Sequence, residues 1–342
     1  MSLYPLVRPF AFALDAEKAH RAAIAALKLM PARLPPKFPD SLKTSLAGLD
    51  FPSPVGLAAG FDKDAEVPAQ LLSLGFGFVE VGTITPKPQS GNLKPRLFRL
   101  SEDRAVINRM GFNNEGQPAA FARLLRLTHV HGIIGVNLGA NKDSRDRIAD
   151  YVEGVRSMSA VARYLTINIS SPNTPGLRML QDEGELRELL SAVQSASSDK
   201  PIFLKVAPDL EPNDPERIVR AALDHKISAI IVSNTTVSRP PLKSRDSNET
   251  GGLSGRSLKP LSLDALRRFR SASSGEMPLI GVGGIETEAD AWERICAGAS
   301  LVQLYTAMVY EGPGIARRIA AGLSKRLRSE GFANIAEAVG TG

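Results

Sequence analysis

The sequence predicts an α/β fold, a (β/α)8 TIM barrel with a small N-terminal helical extension. Eight short apolar runs carry this expectation, at residues 54–60, 77–82, 132–139, 164–170, 201–207, 228–234, 278–284 and 300–306. Most are continuously apolar rather than alternating, the pattern of parallel strands covered on both faces. Helical patterns fall between them, for instance over 183–197, 214–225, 260–272 and 286–297. Eight βα units in succession favour a closed barrel; a doubly wound open sheet is the alternative. The length of 342 residues suits one barrel with an added segment.

That segment comes first, over residues 1–40, and residues 41–342 form the barrel domain. Residues 15–30 (DAEKAHRAAIAALKLM) predict a helix, with Asp15 as its cap and residues of good helix propensity behind it. Ala19, Ala23, Ile24, Leu27 and Met30 supply apolar positions, with Lys18, Arg21 and Lys28 between them. The prolines of PARLPPKFPD then end it. Spacing alone favours a helix packed on the barrel; an amphipathic membrane-surface element is the alternative. Ahead of it, Arg8 and Pro9 interrupt the apolar stretch, so no secretory signal is expected. No apolar run is long enough to span a bilayer.

With 43% hydrophobic and 23% charged residues, the chain can bury a large core. The net charge of +6 suits a soluble basic protein, or attraction to an anionic substrate, an anionic lipid or nucleic acid. No block of like charges suggests a nucleic-acid tail. Cys296 is the single cysteine, which excludes an intrachain disulfide and a cysteine metal site and fits a reducing compartment.

Two connections are too long for simple βα loops. One runs from Thr83 to about Gly116, the other from Asn234 to about Pro260. Loops of this length are usually functional or disordered, and after barrel strands they lie at the C-terminal face. The strand ends around them are polar. The fourth run leads into Asn168, Ser170, Ser171, Pro172, Asn173 and Thr174; the third carries Asn137, followed by Asn141 and Lys142. Lys205 sits inside the fifth, and Ser233, Asn234 and Thr235 close the sixth. Lys63 follows the first run, and INRMGFNNEG (107–116) lies in the first long loop. A single asparagine is more often a cap or turn residue, but a cluster of buried amides needs partners. A planar heterocycle with N–H and C=O edges would satisfy them, since Asn both donates and accepts. Lys205 could snorkel from the rim, but a lysine within a buried strand better suits developing negative charge on a reduced flavin or an enolate.

GVGGI (281–285) closes the seventh run ahead of a helix, LYTAM (304–308) closes the eighth, and GGLSGRSL (251–258) adds glycines on the second long loop. Glycines before a helix let backbone N–H groups approach a phosphate, a site barrels often build after strands seven and eight. His20, His129, His131 and His225 lie outside the polar cluster, and neither a metal-ligand spacing nor a Ser-His-Asp arrangement is readable. The residues alone predict a barrel that binds a phosphate-bearing cofactor and a small polar heterocycle.

Taken together, AAGFDKD, EVGTITPKPQ, RLFRL, INRMGFNN, INISSPNTPGLR, LKVAPD, SNTT, GGLSGRSL, IGVGGI and LYTAM, in order from about residue 54 to 310, resemble the class 2 (quinone-linked) dihydroorotate dehydrogenases. The resemblance implies a flavoprotein oxidoreductase of pyrimidine (UMP) synthesis that oxidises dihydroorotate to orotate. FMN takes a hydride from C6 while a base removes a proton from C5, and a membrane quinone takes the electrons. It implies Ser171 as the base, where class 1 enzymes carry cysteine; Cys296, in the helical stretch AWERICAGAS, cannot fill that role. It implies substrate contacts at Lys63, Asn108, Arg109, Met110, Gly111, Phe112, Asn168, Asn173, Asn234 and Thr235. Cofactor contacts follow at Ala59, Gly60, Phe61, Asp62, Lys63, Thr83, Asn137, Asn168, Lys205, Ser233, Ser254, Gly255, Gly283, Gly284, Tyr305 and Thr306, with no metal. His20, Arg99 and Tyr305 match positions lining a quinone tunnel, which turns the N-terminal segment into the membrane-associating element. A monomer held peripherally at the cytoplasmic face of a bacterial cell membrane, binding no nucleic acid, is the expectation.

The chemistry is consistent with these residues. Lys63 could hold the orotate carboxylate and the asparagines could read the ring. Serine is a weak base, so Ser171 needs a relay, through water or a hydroxyl such as Thr174. Two other readings stand beside this one. A tRNA dihydrouridine synthase would share the barrel and suit the charge, but uses a cysteine acid near its flavin. A membrane-binding barrel without activity would not need the complete polar set.

Overall fold

The computed structural model describes residues 4–197 and 199–342. Two helices lead, α1 (Tyr4–Ala13) and α2 (Ala16–Leu29). Asp15 caps α2, its carboxylate accepting from the N–H groups of Glu17 and Lys18 at 3.1 and 3.0 Å. Helix α1 is an element that the sequence reading left unassigned, because Pro9 falls within it. A hairpin of β1 (Thr44–Leu46) and β2 (Leu49–Phe51) follows.

The barrel begins with β3 (Val55–Leu57), α3 (Pro68–Ser73) and β4 (Phe78–Ile84). The first long connection carries β5 (Leu97–Leu100), β6 (Ala105–Asn108) and α4 (Gln117–Leu125). Then come β7 (Ile133–Leu138), α5 (Arg147–Met158), β8 (Tyr164–Asn168), α6 (Glu183–Ala196), β9 (Ile202–Val206), α7 (Asp214–Asp224) and β10 (Ala229–Val232). The second long connection carries β11 (Gly252–Gly255), and the chain ends with α8 (Lys259–Ala272), β12 (Leu279–Val282), α9 (Glu288–Cys296), β13 (Ala299–Leu304), α10 (Thr306–Glu311) and α11 (Ile315–Glu330). The strands β3, β4, β7, β8, β9, β10, β12 and β13 form one closed parallel barrel, β13 pairing back onto β3. The eight apolar runs and the four helical patterns thus fall where the sequence predicts them.

The N-terminal end of the barrel is closed by apolar side chains. Leu46 and Phe51 of the hairpin meet Phe78, Tyr164, Phe203, Ile231, Ile280 and Leu301, all buried. Tyr164 and Phe203 stack with ring centroids 4.4 Å apart. This leaves the opposite end for polar groups. There the two long connections pair with each other: β5, β6 and β11 form an antiparallel sheet around Leu100, Ala105, Ile107 and Leu253. The sequence reading assigned no strands to these loops, since each is only four residues long.

The N-terminal helices cover the same end. Arg96, in the first long connection, donates to both Glu17 carboxylate oxygens at 3.1 and 2.7 Å, and both residues are buried. Arg99 donates to the carbonyls of Ala11 and Leu14 at the end of α1 and lies over the Phe12 ring, 4.8 Å from its centroid. Glu66 pairs with Arg21 and Lys28 on α2. Outward, Leu6, Val7, Phe10, Leu14, Leu29, Met30 and Leu34 leave much of their apolar surface exposed, although no helix among the described residues is long and apolar enough to cross a membrane.

Removing one partner of a buried pair leaves the other charge uncompensated. Glu17→Ala should therefore weaken docking of α2 by about 3 kcal/mol. Limited proteolysis reads it: cleavage around α2 should accelerate while the barrel persists, and an unchanged cleavage rate would contradict the role of this pair.

Candidate active site

The polar end of the barrel rises in tiers. Deepest is Glu80 on β4, with no exposed surface. Its carboxylate accepts hydrogen bonds from Asn137 Nδ2 (2.7 Å), Tyr164 OH (3.1 Å), Thr166 Oγ1 (3.1 Å) and Gln303 Nε2 (3.0 Å). Burial and this carboxylate push the Tyr164 pKa well above the ordinary tyrosine value, so the phenol stays a donor. One tier up, Asn137 Oδ1 accepts from Thr83 Oγ1 (2.6 Å) and Asn168 Nδ2 (3.0 Å). Asn168 Oδ1 accepts from Ser170 Oγ (2.7 Å), and Ser170 Oγ accepts from Asn234 Nδ2 (2.8 Å).

Above these groups lies a cavity of about 700 Å³. Its walls bring together Ser171, Lys63, Asn108, Met110, Gly111, Phe112, Asn168, Asn173, Asn234 and Thr235. Ala59, Gly60, Phe61, Thr83, Lys205, Ser233, Ser254, Gly255, Gly283, Gly284, Tyr305 and Thr306 line it as well. Three expected site residues do not reach it. Asp62 is fully buried, and its carboxylate accepts the N–H groups of Glu66 and Val67 at 2.7 and 2.8 Å, which fixes the turn before α3. Arg109 turns away to pair with Glu249 at 2.6 Å and to lie over the Phe98 ring. Asn137 stands one tier below the cavity, behind Thr83 and Asn168.

Two lysines reach the cavity with no hydrogen-bond or ion-pair partner among the described residues. Lys205 on β9 is buried; desolvation pulls its pKa down, and the Glu80 carboxylate opposes that. Lys63 is pulled down to about 8, mainly by desolvation, with Arg96 adding repulsion against the attraction of Asp64 and Glu17. Ser171 is buried, and its Oγ accepts from the Asn173 N–H at 3.2 Å. Thr174 is buried nearby but is not bonded to it.

The walls fit a flat ring that carries a phosphate. At Gly60, whose φ is +111°, an added Cβ would meet only the Tyr305 ring, at 3.6 Å, so a side chain here would grow into the cavity. Gly284, at φ +70°, closes so tightly on Lys259 that any Cβ would lie 2.5 Å from its backbone. Ser254 accepts from Thr306 Oγ1 at 2.8 Å, which joins the second long connection to the start of α10 beside these glycines.

The cavity continues outward between α1 and α2, along Val7, Phe10, Leu14, Ala19, Ala23 and Met30. His20 and Tyr305 stand at the junction, Tyr305 OH 3.4 Å from His20 Nδ1. Burial, then Lys63 and Arg21, pull the His20 pKa down to about 4, so the imidazole is neutral at ordinary pH. Arg99 lines this outer arm. Glu80 and Gln303 carry no role in the sequence reading, and Ser170 was only one hydroxyl at a strand end. An acid inside the run FVEVG was a signal of the same kind as Lys205.

The family described as dihydroorotate dehydrogenase matches residues 41–327. The chain is 63% identical to a dihydroorotate dehydrogenase (quinone) of Erythrobacter litoralis over 99% of both chains, and 60% identical to one of Novosphingobium aromaticivorans over the whole of both. Among solved structures it resembles the DHODH of Eimeria tenella in complex with ferulenol, with a TM-score of 0.91, 42% identity and 95% of each chain covered. The ligand-free form of that protein gives 0.92, with 96% of this chain and 99% of that one covered. The chain belongs to the dihydroorotate dehydrogenase family, on its quinone-linked (class 2) branch.

Proposed function

We propose that this chain oxidises dihydroorotate to orotate with FMN in the barrel cavity and passes the electrons to a membrane quinone in the outer arm. One observation carries the reading: a single cavity joins Ser171 and the two unpartnered lysines to an apolar passage between α1 and α2. FMN bound there would supply the acceptor for a hydride leaving C6. Lys205 would offer a cation where negative charge develops, Gly60 and Thr83 would hold the ring, and Ser254, Gly255, Gly284 and Thr306 would hold the phosphate. Lys63 holds the substrate carboxylate while Asn108, Asn173 and Asn234 read the pyrimidine edge. Ser171 Oγ takes the C5 proton as its own hydroxyl proton passes to water, since no side-chain base among the described residues is bonded to it. Hydride from C6 and proton from C5 together make the ring double bond.

Residues 1–40 form the quinone and membrane-associating segment on this reading, and residues 41–342 the FMN barrel. The exposed apolar rim of α1 and α2 supports peripheral membrane attachment, which this reading places at the cytoplasmic face of the cell membrane. A monomer is the expected state on this reading. The tRNA dihydrouridine synthase reading loses its ground, because Cys296 lies on α9 and does not line the cavity.

A purified holoprotein should be yellow and should bleach on addition of dihydroorotate; a stable flavin spectrum would overturn the activity. Ser171→Ala should keep its flavin but slow single-turnover bleaching by at least about 100-fold. An unchanged rate would remove Ser171 from the mechanism. The charge on Lys63 is present below about pH 8 and is lost as the pH rises through that value. The kcat/KM for dihydroorotate should therefore fall above about pH 8, and Lys63→Met should abolish that inflection. Deleting residues 1–40 should leave FMN in the barrel but abolish reduction of a long-chain quinone; full turnover without them would disprove the role of the outer arm.

A further inference from the structure

We propose that Glu80 is a positioning residue that sets the direction of the side-chain hydrogen bonds running from the barrel interior through Asn137, Asn168 and Ser170 to Asn234 in the substrate pocket. The proposal rests on the assignment of that pocket to orotate. A carboxylate accepts and cannot donate, whereas an amide can face either way and a hydroxyl can turn. Asn137 must therefore aim Nδ2 at Glu80, which leaves Oδ1 facing upward. That oxygen takes the Thr83 hydroxyl and the Asn168 amide nitrogen. Asn168 then shows Oδ1 to Ser170, whose oxygen takes the Asn234 amide nitrogen, and Asn234 Oδ1 takes the N–H of Thr235 at 2.8 Å. Each donor in this series points toward Glu80. The Asn234 amide edge offered to the pyrimidine is thus fixed from below, out of reach of the ligand itself, whereas Asn173 and Asn108 pair with each other outside the series.

Gln303 bears the mark of the same constraint. Its Nε2 faces Glu80, and its Oε1 is left buried without a partner. Buried acceptors of this kind are rare, so the carboxylate outweighs the satisfaction of the neighbouring amide. A glutamine at position 80 would fill the same space but could face either way. The chain above would then hold two opposed arrangements, one of which offers the wrong edge.

The test is orotate binding to the flavin-loaded full-length protein, read from the shift in flavin absorbance. Glu80→Gln should retain its flavin and raise the orotate Kd by about tenfold or more. The double variant with Glu80→Gln and Gln303→Glu moves the carboxylate across the 3.0 Å contact. The carboxylate now at position 303 would hold the amide nitrogen at position 80 and turn the amide oxygen there back to Asn137. The Kd should then return to within about threefold of the parent. A role in packing alone would not be rescued by this exchange. A Glu80→Gln Kd unchanged from the parent overturns the proposal, as does a double variant as weak as the single one. Where Glu80→Gln does not fold, Asn137→Ala cuts the chain one link higher and should weaken orotate likewise; unchanged affinity overturns the proposal. A parent protein that binds flavin but not orotate overturns instead the functional reading beneath it.

Discussion

A charge with no access to water must be surrounded by donors, and Glu80 meets that demand with Asn137, Tyr164, Thr166 and Gln303 drawn from β7, β8 and β13. Desolvation makes the arrangement close to obligatory: a missing donor would leave an unpaired carboxylate oxygen in a low-dielectric interior. The apolar plug of Phe78, Tyr164, Phe203 and Leu301 seals the barrel beneath it. The catalytic cavity stands above. The barrel is thus polarised along its axis, dry and aromatic at one end and hydrogen-bonded at the other. The carboxylate lies at the boundary, beneath Lys205, whose ammonium it helps to keep charged.

The N-terminal helices depend on a second buried charge contact, between Arg96 and Glu17. It ties α2 to the connection that also contributes Asn108, Met110 and Phe112 to the cavity wall. The N-terminal helices and the cavity wall are therefore built together, and the apolar passage opens from the same cavity that the polar groups line. A neutral His20 adds no charge at the junction, and Arg99 is the cation on the outer arm.

Much of this is legible in the sequence, for physical reasons. Parallel strands buried on both faces leave continuous apolar runs, so the barrel and its order could be read directly. The polar part of the cavity wall could be read as a cluster because several buried amides at consecutive strand ends need partners; its apolar part, such as Phe61, Met110 and Phe112, followed only from the family resemblance. Short elements left weaker signals. The four-residue strands β5, β6 and β11 find their partners only across distant loops, and Pro9 disguised α1. Asp62 shows how a local role can look like a ligand: a carboxylate that fixes the turn before a helix has the same sequence appearance as one that binds a cofactor. Arg109 is drawn off by Glu249, a partner 140 residues away that no local pattern predicts. Glu80 itself was visible as a lone acid in an apolar run, but its four partners come from three other strands and appear only in the closed barrel.

The passage between α1 and α2 owes its width to alanines. Ala16, Ala19, Ala22, Ala23 and Ala26 of α2 all face it, while the groups assigned to proton and hydride chemistry lie on the barrel. On its α2 side, a blocking compound that enters from the outer end would press on methyl groups. Enlarging one of those methyl groups to an isopropyl would narrow its berth without touching a reacting atom. Resistance to such a compound could therefore arise on this helix, away from the polar groups of the barrel end.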